Sequence, residues 1–117
     1  MARFASAREE LDTAALLLKN HKVNQGLFWA HLAMEKALKA LVTRHTRTIP
    51  PFIHDLVRLA DQAAIPLTDE QRAFLASCNR FAVHGRCQVP QAPLATPDEV
   101  AATWKRIQEI TQWFLTL

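Results

Sequence analysis

The 117-residue chain has little glycine, little cysteine and no long run of apolar residues. Only 2 residues are glycine while 50% are hydrophobic, which favours a compact helical domain and argues against a disordered chain. No apolar run approaches the roughly 20 residues that span a bilayer, and the segment after Met1 lacks the apolar core of a signal peptide. We therefore expect a single cytoplasmic domain, residues 1–117, without a membrane contact.

Cysteine content and net charge narrow the classes of function further. Cys78 and Cys87 are the two cysteines, and no second pair of ligands stands at zinc-binding spacing, so we expect neither a bound metal nor a cofactor. Their number permits a disulfide, but nothing indicates an oxidising compartment. The 14 Lys and Arg against 11 Asp and Glu give a net charge of +3, too small for a protein that coats nucleic acid. A contact with RNA or DNA must therefore depend on a local basic patch.

Apolar residues that recur at three- and four-residue steps predict five helical segments. Their approximate bounds are residues 2–20, 24–44, 52–64, 68–85 and 96 to the last helical turn. Pro50-Pro51 separates the second helix from the third, and Thr68–Gln71 has the form of a capping box. Thr96-Pro97 supplies an N-cap and a first-turn proline for the last helix. Strand-like alternation of useful length is missing, so the predicted fold class is all-α, an up-and-down bundle of about five helices.

Several polar residues of the second and third helices have structural interpretations. Glu35 and Lys39 form an i,i+4 pair, which we place on the wetter side of the second helix. His31 lies among apolar residues of that helix and is interpreted as a packed or interface histidine. His54-Asp55 opens the third helix, where structural capping is favoured over catalysis.

The stretch from Asn79 to Arg86 is the best candidate for a functional site. It gathers two arginines, an asparagine and a histidine within two helical turns. Arginine presents a planar fork of donors to phosphate oxygens, and histidine exchanges a proton near neutral pH. On a continuous helix Arg80 and His84 share a face away from the buried stripe, while Gly85 lets the chain turn. The alternative interpretation is a set of polar side chains at a solvated helix end.

The chain resembles the HEPN family, the higher eukaryote and prokaryote nucleotide-binding domain. The resemblance covers nearly the whole length and depends on Ala30–Leu41, on His54-Asp55-Leu56 and on Asn79–Arg86. It implies a compact helical bundle that forms a homodimer across a shared cleft. Many members are metal-independent ribonucleases with an arginine, a short spacer and then a histidine. Small members are often paired, as toxin and antitoxin, with a nucleotidyltransferase partner.

The resemblance assigns His84 to the family's catalytic histidine position. We expect Arg80 to act as the catalytic arginine that holds the phosphate, with Asn79 and Arg86 as substrate-binding residues for RNA or a nucleotide. Counting back five positions from His84 gives Asn79, so Arg80 is one residue closer than in that spacing. Some partners silence the toxin by adding nucleotides to a tyrosine two positions after the histidine. Arg86 stands there and the chain has no tyrosine, which excludes that regulation.

Two functions remain open from the sequence. One is a toxin-type, metal-independent endoribonuclease that uses Arg80 and His84. The alternative is a non-catalytic subunit that binds a nucleotide or RNA and docks a nucleotidyltransferase. The altered arginine spacing and the missing tyrosine favour the alternative, and a subgroup without the full ribonuclease motif also has an arginine near position 86. The habit of the family favours the ribonuclease, which we place slightly ahead.

Overall fold

The computed structural model describes residues 2–84 and 96–117, including the side chains of residues 6–82 and 96–117. Within these ranges the chain forms six helices and no strand. They are α1 Ala2–Lys19, α2 Val23–Thr46, α3 Leu56–Gln62, α4 Asp69–Cys78, α5 Phe81–His84 and α6 Pro97–Thr116. The all-α class is confirmed, and the fourth predicted helix is divided into α4 and α5.

Helix α2 forms the centre of the fold. α1 packs along it, α3, α5 and α6 also contact it, and α4 packs against α3. Every helix supplies apolar side chains to one core, among them Ala14, Met34, Leu59, Leu75, Phe81 and Phe114. A Cβ atom on Gly26 would lie 2.7 Å from Cγ and Cδ2 of Leu18. Gly26 therefore permits the close approach of α1 and α2 at the start of α2.

The predicted caps of the last two long helices are confirmed. The Thr68 hydroxyl accepts a hydrogen bond from the Gln71 N–H at 3.1 Å, and the Thr68 N–H donates to the Gln71 side chain at 2.9 Å. Thr96 accepts from the Glu99 N–H at 3.1 Å, with Pro97 in the first turn of α6. These local signals are readable from sequence because cap and partner are three residues apart.

The third helix begins later than the pattern predicted. We placed its start at Phe52, but α3 begins at Leu56 and Phe52 is 97% exposed. Asp55 is the N-cap, and its Oδ1 accepts from the N–H groups of Val57 at 3.0 Å and Arg58 at 3.3 Å. The acidic cap fixes the helix start because it satisfies backbone donors that have no partner within the helix.

In the part of the chain that the structure describes, no helix combines the length and apolar character needed to cross a bilayer.

Candidate functional site

The candidate site lies where the fourth predicted helix is interrupted. α4 ends at Cys78, Asn79 and Arg80 form a turn, and α5 begins at Phe81. The backbone hydrogen bonds across this turn, at 3.3 Å, join residues three apart rather than four, which is the tighter 3₁₀ pattern. The prediction of one continuous helix through Gly85 was therefore wrong. The shared face of Arg80 and His84 stays a prediction, because the side chain of His84 lies outside the described residues.

Asn79 connects the end of α4 to the start of α3. Its Oδ1 accepts from the Leu56 N–H at 2.9 Å, and its Nδ2 donates to Asp55 Oδ1 at 3.1 Å. The same Asp55 oxygen caps α3, so one carboxylate joins both helices. Both ends of the Asn79 amide are thus engaged within the protein. Its predicted role in substrate binding stays a prediction, beside a structural role that the sequence did not indicate.

Arg80 follows this anchored residue and is exposed. The guanidinium carbon of Arg80 lies 5.1 Å from the ring centroid of Phe81, which is buried in the core. This contact is within the range of a cation–π interaction and holds the charge close to the protein surface. The side chain of His84 and the whole of Arg86 lie outside the described residues. The convergence of Arg80 with them stays a prediction.

A second group of polar side chains lies at the junction of α2 and α3. His54 Nδ1 and Glu35 Oε1 are 2.7 Å apart, and Lys39 Nζ donates to Glu35 Oε2 at 3.1 Å. His31 Nδ1 lies 3.8 Å from the same Oε1. We call His31, Glu35, Lys39 and His54 the Glu35 cluster. The predicted Glu35–Lys39 pair is present, but its placement on the wetter side of α2 was wrong, because Glu35 is buried.

His31 is the most deeply buried member of the Glu35 cluster, as expected for a packed histidine. Burial lowers the pKa of His31, and the neighbouring charge of Glu35 opposes that effect only in part. The His54 backbone and the Asn79 side chain also favour the protonated form. Because its pKa is lowered from the ordinary histidine value, the His31 ring is mainly neutral near pH 7.

Three other features were considered as candidate sites: the Cys78 thiol, a group of metal ligands and an apolar cavity. Burial raises the pKa of the Cys78 thiol to about 12, so it is protonated at neutral pH and is a poor nucleophile. Among the described residues, no three His, Cys, Asp or Glu side chains are grouped closely enough to hold a metal ion. A cavity of about 560 Å³ lies between α1, the start of α2 and α6, with Leu18 and Trp104 in its mostly apolar wall. Of the predicted site residues whose side chains the structure describes, neither Asn79 nor Arg80 lines it.

Sequence reasoning missed the Glu35–His54 contact, although part of its signal was present. His31 and Glu35 stand four residues apart in a helix that is otherwise apolar on that face, which indicates polar groups that need a buried partner. His54 is 19 positions further along the chain. Nothing in local spacing could identify it as that partner.

The fold and the site together define a class. The protein is an all-α bundle whose polar junction joins the middle of a central helix to an interrupted fourth helix. The model of the HEPN domain family matches residues 2–117 of this chain. The chain therefore belongs to the HEPN family, as its resemblance implied. No curated protein and no solved structure matched the chain in the other two comparisons.

Proposed function

We propose that this chain is a toxin-type, metal-independent endoribonuclease in which Arg80 binds the scissile phosphate and His84 transfers a proton. Membership of the HEPN family supports a role in RNA or nucleotide chemistry. The observation that carries the proposal furthest is the position of Arg80. It is an exposed cation on a turn that the two hydrogen bonds of Asn79 anchor to α3.

An anchored arginine suits a phosphodiester. A guanidinium on a fixed backbone loses less conformational freedom on binding an anion than one on a loose loop. It would also stabilise the extra negative charge that develops on the phosphorus oxygens during cleavage. His84, four positions later, would exchange the proton of a ribose hydroxyl or of the leaving oxygen.

The test is cleavage of single-stranded RNA by the purified protein in a buffer that contains EDTA. We expect the wild type to cut RNA and His84→Ala to lose activity by about 100-fold or more, the usual contribution of a general acid or base. Arg80→Ala should also lose activity. Arg8→Ala is the matched control, because it removes an exposed arginine from α1 and leaves the junction intact.

The possible outcomes distinguish an error in the residue assignments from an error in the proposed reaction. Cleavage that survives His84→Ala would remove His84 from the mechanism. Equal losses in Arg80→Ala and Arg8→Ala would mean that net charge, rather than the position of Arg80, promotes the reaction. A wild type that never cuts RNA would contradict the ribonuclease proposal as a whole.

A second function has one observation in its favour. Asn79 stands at the arginine position of the five-residue family spacing, and both of its amide atoms are engaged by Asp55 and Leu56. A HEPN subunit that binds RNA or a nucleotide, and docks a nucleotidyltransferase, needs no arginine there. It should show salt-sensitive binding without turnover, weakened by Arg80→Ala or Arg86→Ala. A binding affinity that changes neither with salt concentration nor with either substitution would contradict this function.

Both functions include a homodimer, which would place two copies of Arg80 along a shared cleft. Size-exclusion chromatography with light scattering decides between one chain and two. Co-purification with a nucleotidyltransferase encoded beside this chain would test the partner.

A further inference from the structure

His54 has the surroundings of a proton-transfer residue rather than of a helix cap. Asp55, not His54, caps α3. The His54 ring is 45% exposed, whereas the carboxylate that it contacts, Glu35, is only 7% exposed. One side of the imidazole is thus held at 2.7 Å by a buried carboxylate while the ring reaches the surface. General bases are commonly oriented in this way by a buried acid.

The contact decides which nitrogen carries the proton. Lys39 lies 3.1 Å from the other Glu35 oxygen and stabilises the ionised carboxylate, which only accepts hydrogen bonds. Nδ1 of His54 must therefore be the donor in this pair. In the neutral ring the lone pair then lies on Nε2, and that nitrogen is the one able to accept a proton.

His54 also lies beside the anchored turn of the candidate site. Its neighbour in sequence, Asp55, is hydrogen-bonded to the Asn79 side chain at 3.1 Å, and Arg80 follows Asn79 directly. The same packed junction thus holds a phosphate-binding candidate and an oriented imidazole. In contrast, His21 and His45 are exposed, and no acidic side chain is hydrogen-bonded to either in the described ranges.

We infer that His54 is a second proton-transfer residue of this site, with Glu35 as its positioning residue. The inference rests on the proposed ribonuclease function and assigns one of its two proton transfers to His54 and the other to His84. His54 Nε2 removes the proton from a ribose 2′-hydroxyl, and the 2′-oxygen forms a bond to phosphorus. The bond from phosphorus to the 5′-oxygen breaks, and His84 donates a proton to that leaving oxygen. The products are a 2′,3′-cyclic phosphate and a 5′-hydroxyl end, and His54 returns its proton to solvent.

The decisive variant is His54→Asn. The asparagine amide nitrogen occupies nearly the place of Nδ1 and still donates to Glu35, so the tie between α2 and α3 is kept while the base is lost. We expect cleavage to fall by about 100-fold or more with the thermal midpoint close to that of the wild type. His45→Asn is the matched control, an exposed histidine on α2 that should keep full activity.

Glu35→Gln tests the positioning role with a readout that packing alone would not move. The glutamine amide can donate to Nδ1 and so permits the opposite tautomer of His54. Nitrogen-15 NMR of the ring should show the Nδ1–H tautomer in the wild type and its loss in Glu35→Gln. Cleavage by this variant should fall by about 10-fold or more, because the lone pair no longer lies on Nε2.

Each outcome has a separate meaning. Wild-type cleavage with an equally active His54→Asn would overturn the inference and leave the ribonuclease proposal standing. An Nε2–H tautomer in the wild type would overturn it as well. If His54→Asn fails to fold, His54→Gln replaces it, because its amide also reaches Glu35 without an imidazole. A wild type that cuts no RNA, with Arg80 and His84 intact, would overturn both the proposal and the inference.

Discussion

Two groups of charged side chains contain hydrogen bonds of nearly equal length but lie in opposite surroundings. In the Glu35 cluster the 2.7 Å contact with His54 belongs to a carboxylate that is 7% exposed. Between α3 and α4, Arg72 donates to Asp61 at 2.6 and 3.2 Å, and these side chains are 41% and 51% exposed. Water and salt screen the second pair, whereas loss of one partner from the first leaves a buried charge without compensation. The burial of the two groups, rather than the length of their hydrogen bonds, therefore decides how much stability is lost when one partner is removed.

The largest expected effect is that of Glu35→Ala. Removing the carboxylate leaves the largely buried Lys39 ammonium and the His54 Nδ1–H without their acceptor. We expect the free energy of unfolding to fall by about 3 kcal/mol. Chemical denaturation with urea measures it. Glu109→Ala, the control at an exposed glutamate on α6, should change it by less than about 0.5 kcal/mol. Equal effects of the two substitutions would contradict a large contribution from the buried Glu35 carboxylate.

An intermediate effect is expected for Asn79→Ala. The substitution leaves the N–H of the buried Leu56 without an acceptor and removes the Asn79 Nδ2 group that donates to Asp55 Oδ1. The expected loss is about 2 kcal/mol, the cost of a partly buried group that loses its partner. Asn20→Ala removes a hydrogen bond of 2.8 Å from the exposed end of α1 and should cost about 0.5 kcal/mol or less. Urea denaturation measures both variants, and a similar loss of unfolding free energy in the two would show that Asn79 does not anchor the turn.

The smallest effect should come from Asp61→Asn. The hydrogen bond from Arg72 lowers the pKa of Asp61 below the ordinary range of an aspartate. The small stabilisation is therefore complete above the ordinary aspartate pKa and is lost as the pH falls through the lowered folded value. The difference in the free energy of unfolding between wild type and variant should also become smaller as the salt concentration rises from about 0.05 to about 1 M, because salt screens exposed charge pairs. A large, salt-independent difference would place this pair with the Glu35 cluster.

The contrast also explains how far the sequence predicts this molecule. The caps at Thr68 and Thr96 were predicted correctly, because each cap and its partner lie within a few residues. The all-α fold follows from those local patterns. The HEPN assignment was likewise available from motifs within α2 and at the end of α4.

Predictions failed where two distant segments meet. The fourth helix was predicted to continue because nothing near Asn79 indicates that its amide is bonded to residues 23 and 24 positions earlier. Glu35 was placed in water for the same reason, since its burial depends on the segment that carries His54. The candidate site is made of such contacts. The sequence alone singled out Asn79 and Arg80, but the hydrogen bonds of Asn79 that anchor the turn could not be predicted from it.

The rate at which the Cys78 thiol is chemically modified can report on the opening of α4. Its thiol is fully buried, and at neutral pH almost none of it is the thiolate that reacts with labelling reagents. In a chain in which serine replaces Cys87, modification of Cys78 would need a transient opening of the helix that immediately precedes Asn79. The rate of that modification would then measure how often the anchored turn is released, without any substrate or partner.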